Sequence, residues 1–257
     1  MSRTSSKTQQ ETSTKPSFRM LAELKDVHAG NIGFVVGNGW SSTYYDVDRM
    51  AEEGILIGCN QAFRKFPVDY LVWLDTSVDG ECVCFAGPKI TSRRKGRVEL
   101  SPASSYLFGF KKKDGVANKD GNVRLMHSGG IALQVAYTMG CNPIVLVGCD
   151  CRIFQVNGQD VRYKGFRSNI FADKQVAKYT RKGDTLSVGG KHTNNHLKSF
   201  MRKFEMVYEQ LKDHVDIYML GPWSISTTIP WVEWKGYWSE VHPGRVKACQ
   251  KETATTT

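Results

Sequence analysis

The chain has 257 residues, 40% of them apolar, with 6 Trp, 10 Tyr and 12 Phe, and a formal net charge of +10. That composition excludes a disordered or collagen-like chain and is ample for the core of one large domain or two small ones. No apolar run approaches the roughly 20 residues that span a bilayer. The stretch Met1–Ser17 is rich in Ser, Thr, Gln and Lys and has no apolar segment to serve as a secretory signal, so a cytoplasmic location is expected.

The positive charge is unevenly placed. Pro88–Arg124 carries +7 and Arg152–Lys191 carries +6, leaving −3 for the rest. These segments are either solvated loops or surfaces for a polyanion, nucleic acid included, or for a phosphorylated ligand. The seven cysteines (59, 82, 84, 141, 149, 151 and 249) are odd in number and sit mostly in or beside apolar runs, as reduced core cysteines do. Cys82/Cys84 and Cys149/Cys151 are separated by single residues, whereas zinc ligands are usually separated by roughly two to four. No metal site is expected.

In chain order, residues 1–18 read as a polar, disordered tail. Ile32–Val36 reads as a buried strand ended by Gly37-Asn38-Gly39. Ser41 or Ser42 then caps a short helix ending near Glu53. Ile55–Cys59 is a second strand, Asn60–Phe66 a turn or short helix stopped by Pro67, and Tyr70–Leu74 a third strand ending on Asp75. Cys82–Phe110 holds one or two short strands, with Lys89–Thr91 a candidate, and Lys111–Asp120 reads as a mobile loop. Ser128-Gly129-Gly130 opens a helix through Tyr137 that Gly140 caps. Pro143–Val147 is a central strand followed by Gly148-Cys149-Asp150. Asn195–Leu211 has helical periodicity, and Val215–Leu220 is a late strand. Strands alternating with helices predict an α/β fold, a Rossmann-like and mostly parallel sheet flanked by helices. The expected organisation is one nucleotide-binding domain over residues 19–241, with a basic lid at about 152–191 and a flexible tail at 242–257.

In such sheets ligands bind beyond the carboxyl ends of the strands. Four strands here end in small or polar groups: Gly37-Asn38-Gly39, Asn60-Gln61, Asp75 and Gly148-Cys149-Asp150. Gly37-Asn38-Gly39 either lets backbone approach an anionic ligand or is only a tight strand-to-helix turn. It lacks the third glycine of the dinucleotide fingerprint. Ser128-Gly129-Gly130 is either a second phosphate cradle or a plain helix cap. Asn60 and Asp75 either bond a base or ribose or serve as a turn and a cap. His192 is either a general acid or base or a surface histidine, and its spacing from His196 would also suit a metal pair on a helix. Trp223, Trp231, Trp234 and Trp238 form either a stacking surface or an aromatic cover over a sheet edge.

The order Val-Val-Gly-Asn-Gly (35–39), Gly-Cys-Asn-Gln (58–61), Ser-Gly-Gly (128–130), Gly-Cys-Asp (148–150), then a histidine before a helix, resembles the bacterial sialyltransferases that modify lipooligosaccharide. It also resembles their phage and prophage relatives and the archaeal 6-hydroxymethylpterin diphosphokinase-like family. The similarity runs from about Ile32 to Trp231. It implies that Asn38, Asn60, Gln61 and the Asp75 position line a CMP-sugar site, that Ser128 and Gly129 contact the donor, and that Asp150 holds the ribose or cytosine side. His192 would deprotonate the acceptor hydroxyl, and Tyr163 would steady the leaving phosphate. The family uses no metal. Trp40, Arg152 and Leu125 stand where it carries Pro, Tyr and Arg, and Asp75 stands where it carries Asn.

The reading that follows is a metal-independent glycosyltransferase acting from a nucleotide-sugar donor, with Arg152 or a lysine of the lid offsetting charge on the leaving phosphate and no further cofactor. Gly37, Gly39, Ser41 and Gly130 complete its expected nucleotide crevice. The acceptor would be a surface glycan or an anionic molecule such as modified DNA. If the chain is phage-encoded, the location would be the host cytoplasm. Two alternatives stay open. One is a pyrophosphokinase-like enzyme binding ATP with Mg2+ on Asp75 and Asp150. The other is a non-catalytic phage protein that binds nucleic acid through its basic segments.

Overall fold

The computed structural model describes residues 18–92, 100–111, 121–124, 126–152, 155–156, 159–160, 186–188, 191–193 and 195–233. Its strands are β1 (Arg19–Met20), β2 (Ile32–Val36), β3 (Gly54–Cys59), β4 (Tyr70–Val72), β5 (Lys89–Ser92), β6 (Ser105–Lys111), β7 (Asn122–Arg124), β8 (Ile144–Val147), β9 (Gln155–Val156), β10 (Gln159–Asp160), β11 (Leu186–Val188), β12 (Lys191–Thr193), β13 (Ile217–Leu220) and β14 (Trp231–Val232). Its α-helices are α1 (Val47–Glu53), α2 (Asp79–Cys82), α3 (Ser128–Thr138) and α4 (Asn195–Leu211).

Ten strands form one sheet in the order β1-β6-β5-β4-β3-β2-β8-β13-β14, with β7 paired to β6. Every pairing in it is parallel. The α/β expectation therefore holds. From β2 the chain steps outward through β3, β4, β5 and β6. It then returns to lay β8 against the other side of β2, with Val36 beside Val147. The β2/β8 seam is thus the point where strand order reverses, the usual place for a ligand crevice in such sheets.

Both faces of the sheet are covered, and strand side chains alternate between them. Val35, Ile57, Ile144 and Leu146 point into the core beneath α3 and α4. Phe34, Val36, Leu56, Val145 and Val147 point into the core beneath α1. Helix α4 presents Leu197, Met201, Phe204, Val207 and Leu211, an i, i+3, i+4 stripe that is buried while its other side is polar. Helix α3 is buried on almost every side, which is why its sequence is apolar beyond a single face. Its one long polar core residue, Gln134, is fully satisfied: Oε1 accepts from Arg124 N at 2.7 Å, and Nε2 donates to Gly130 O at 3.0 Å and Arg124 O at 3.2 Å. Gly140 ends α3 in the left-handed region at φ 82°. Its N–H reaches Tyr137 O and the Cys141 N–H reaches Ala136 O, the paired bonds of a glycine helix stop.

One expectation needs correction. The helix foreseen from Ser41 to Glu53 is two elements: a 3-10 turn at Trp40–Tyr44, then α1, whose cap is Asp46 accepting from Arg49 N at 3.1 Å. The stretch Cys82–Phe110, expected to hold one or two short strands, does supply two: β5 at the Lys89–Thr91 candidate, and most of β6. His192 lies on β12, opposite Ser187, and His196 in the first turn of α4, so the two do not share a helix as a metal pair would. Lys111, the first residue of the expected mobile loop Lys111–Asp120, ends strand β6; the rest of that loop, most of the 152–191 lid, and both tails save Phe18 lie outside the described residues. Among the described residues no helix is long and apolar enough to cross a membrane.

Candidate functional site

A cavity of about 330 Å³ opens at the carboxyl ends of β2, β3, β4 and β8, under the start of α3 and against the first turns of α4. Of the residues singled out in sequence, Gly37, Asn38, Gly39, Asn60, Asp75, Ser128, Gly129 and Asp150 line it. The volume is at the lower end of small-molecule sites.

The polar wall is stitched across three elements. Leu74 N donates to Ser128 Oγ at 3.1 Å, and Ser128 Oγ donates to Asn60 Oδ1 at 2.8 Å. With Oδ1 committed, the group Asn60 can offer a ligand is its Nδ2 amide. Asp75 is exposed, and its Oδ1 accepts from Ser77 N at 2.9 Å. It is therefore a turn cap and a cavity residue together. Asn38 Oδ1 is buried and has no hydrogen-bond partner, a costly state for a polar atom unless a ligand or water completes it. Asn60 and Cys151, both on the rim, hold left-handed backbone at φ 52° and 50°. That conformation is tolerated by Asn and rare for Cys, and such residues cluster at functional sites.

The glycines of the Gly37-Asn38-Gly39 turn answer to the fold. A Cβ on Gly37 would lie 2.6 Å from Gly148 O, and one on Gly39 would lie 2.2 Å from Gly148 O and 2.6 Å from Asp150 Oδ2. Their N–H groups donate to Val147 O and Gly148 O, both at 2.7 Å, so neither N–H is open to a phosphate. The next turn is capped from within the protein. Asp150, buried, accepts from Ser41 N at 3.1 Å through Oδ2 and from Ser41 Oγ through Oδ1. Ser41 is thus fully buried behind Asp150 rather than facing the cavity. Gln61 also turns away, with Nε2 donating to Glu81 at 2.9 and 3.0 Å. Gly130 is buried in α3, and its N–H donates to His127 Nδ1 at 3.2 Å.

The open anion-binding end belongs to α3. The N–H groups of Ser128 and Gly129 have no acceptor within the helix, and the helix dipole is positive there. The cap of α3 is His127, not Ser128. Since Nδ1 accepts from Gly130, Nε2 carries the proton and donates to Phe200 O at 3.0 Å. Burial, the largest cause, pushes this imidazole down to about 4, and Lys203 and His196 add to the effect, although the Phe200 carbonyl opposes it. His127 is therefore neutral near pH 7, with both nitrogens in use.

Sequence reasoning missed most of the opposite wall: His127, Leu197, Phe200 and Phe204, beside His196, which it weighed only as half of a metal pair; Cys59, Cys149 and Cys151 also line the cavity. The signal for the aromatic pair was present as Phe200 and Phe204 at i, i+4, but it reads as core stripe. Among the described residues Cys59, Cys82, Cys141 and Cys149 are buried, Cys151 is half-buried and Cys84 is exposed. Burial holds Cys59 up to about 12 and also raises Cys149 and Cys151, so these thiols are not nucleophilic near neutrality.

Of the three residues expected to act on the reaction, Tyr163 lies outside the described residues. Arg152 is half-buried, directly after Cys151, and is not a lining residue. The backbone of His192 is placed and its side chain lies outside the description. Its neighbour Thr193 is buried, and Thr193 Oγ1 donates to Cys151 O at 2.8 Å, tethering β12 to the cavity rim. Of the C-terminal tryptophans, Trp223 donates to Tyr45 Oη at 2.7 Å and packs on Tyr44 with ring centroids 4.9 Å apart, a structural role. Trp231 lies on edge strand β14 and is 41% exposed; Trp234 and Trp238 are outside the described residues.

Comparison with family models gives no match, and comparison with curated proteins gives none. Among solved structures the chain is similar to the MAf glycosyltransferase from Magnetospirillum magneticum AMB-1, with a TM-score of 0.53 and 12% sequence identity. The likeness covers 86% of this chain and 40% of that one, so this chain spans less than half of that protein's length. At this identity the likeness is one of fold: an α/β architecture on a mostly parallel sheet flanked by helices.

Proposed function

We propose that the chain is a metal-independent glycosyltransferase that binds a nucleotide sugar in the β2/β8 cavity and passes the sugar to an acceptor hydroxyl. The observation that carries this is the end of α3, whose two uncommitted N–H groups open into a cavity where strand order reverses. The donor phosphate would sit at Ser128 and Gly129. Asn60 Nδ2, the orphaned Asn38 Oδ1 and the exposed Asp75 would take ribose or base groups. Fold likeness to a glycosyltransferase and the motif order shared with the sialyltransferases support the reading.

In the reaction, the acceptor oxygen attacks the anomeric carbon as its proton passes to His192. The bond from that carbon to the phosphate oxygen breaks, and its electron pair stays on the phosphate. The α3 dipole, with Arg152 and Tyr163, would offset the charge developing there. The Thr193 bond to Cys151 brings the backbone of β12, and with it position 192, to the cavity rim. His127 is unsuited to that role because both its nitrogens are committed. The Mg-ATP reading would need Asp150 as a ligand, and both of its oxygens already accept from Ser41.

The test is a thermal-shift panel of CMP, UDP, GDP, ADP and ATP and the corresponding nucleotide sugars, with Mg2+ and with EDTA. A site filled at about 100 times Kd adds about 2.7 kcal/mol, so a clear rise in Tm that survives EDTA is expected for at least one nucleotide and its sugar. A shift with ATP alone that EDTA abolishes would support the pyrophosphokinase reading, and no shift at all would end both.

A further inference from the structure

The cavity has two chemically different walls. The polar wall is formed by Asn38, Asn60, Asp75 and the start of α3. The other is a shelf of planar rings on α4 and at the α3 cap. His127 lies 4.6 Å from Phe200 and 4.7 Å from Phe204 between ring centroids, and His196 lies 4.2 Å from Phe200. Phe204 and Leu197 are buried, but Phe200 is only half-buried and borders the cavity. The shelf abuts the anion-binding end of α3: a Cβ on Gly129 would lie 2.8 Å from Phe204 Cζ and 3.4 Å from His127 Nδ1. One cavity thus joins a planar apolar surface to two uncommitted N–H groups. A ligand with a flat ring and a phosphate on one short frame matches both.

We propose that Phe200, backed by His127 and His196, is the platform on which the nucleobase of the bound nucleotide stacks. This rests on the nucleotide-sugar reading and adds the base's place within it. Recognition through a ring face tolerates different bases, since every base has a π-face. Choice among them would then fall to the polar wall. Phe200 suits a test because the hydrogen bond to His127 comes from its backbone carbonyl and so remains when the ring is removed.

The experiment is calorimetric titration of CMP, UDP, GDP, ADP, a nucleotide sugar and inorganic pyrophosphate into the wild type, Phe200→Ala and Phe200→Leu, with melting curves to establish that each variant folds. Phe200→Ala is expected to weaken every nucleotide that binds by about tenfold, the size of one lost stacking contact, and to leave pyrophosphate unchanged. Phe200→Leu should recover only part of the loss, because it restores apolar volume without a ring face. Three results would overturn the platform: nucleotide affinity unchanged in Phe200→Ala; an equal loss for pyrophosphate; or a loss for the nucleotide sugar only, which would make the shelf a sugar subsite. In each of these the wild type still binds nucleotide, so the glycosyltransferase reading survives. A wild type that binds pyrophosphate but no nucleotide overturns both.

Discussion

The imidazole of His127 is held neutral by burial and joins α3 to α4 through its two ring bonds. Its value is near 6.5 when exposed and about 4 in the fold. Between those values the unfolded chain binds a proton that the folded chain refuses. The stabilising contribution is therefore complete above about pH 6.5 and is lost as pH falls toward 4, up to about 3 kcal/mol. His127→Asn keeps a helix-capping side chain and removes the titration. Urea unfolding at pH 7 and pH 4.5 should show the wild type losing more stability than His127→Asn. Parallel losses would mean that the imidazole does not report burial. Residue identities at the site were legible where the chain itself dictates position: Asn38, Asn60, Asp75 and Asp150 follow strands, and strand ends face the crevice. Side-chain direction was not legible. Ser41 faces Asp150 across 109 positions of sequence, and Gln61 faces Glu81, and no local pattern encodes either partner.

Between elements, the β2 and β8 loops meet so closely that Gly39 has room for hydrogen alone. Gly39→Ala would drive a methyl group into the Gly148 carbonyl and the Asp150 carboxyl, and backbone cannot swing aside as a side-chain tip can. A loss of about 2–3 kcal/mol in urea unfolding is expected. Gly80→Ala, in α2 and with nothing within 4 Å of the added carbon, should be neutral or slightly stabilising. Equal behaviour of the two variants would refute the close seam. The elements read best in sequence were those with an unambiguous period. Strands β2, β3 and β8 are continuous apolar runs buried on both faces, and α4 carries a stripe of period 3.6. Strand β6 gave no such signal, because it opens on Ser105 and Gly109 interrupts it, and β1 and β7 are two- and three-residue segments that exist by pairing with β6. The early Gly37-Asn38-Gly39 turn left two readings open, a loop that approaches an anionic ligand or only a tight strand-to-helix turn. Its N–H groups are spent on the sheet, and the free ones lie at α3 instead.

At the scale of the molecule, four strand ends, one helix start and the first turns of another converge on a single cavity because the strand order reverses between β2 and β8. The alternation of strands and helices made the fold class legible. That β8 returns beside β2, and that α4 closes the cavity with rings, depended on contacts between distant segments and was not. The most direct measurement of the central claim is backbone hydrogen–deuterium exchange with and without the nucleotide that raises Tm most. The account predicts added protection at the start of α3, at Ser128 and Gly129, whose N–H groups the phosphate would cover. It predicts little change at Gly37 and Gly39, whose N–H groups are already bonded to Val147 and Gly148. Protection confined to the Gly37–Gly39 turn, or to a surface away from the cavity, with α3 unchanged, would contradict it.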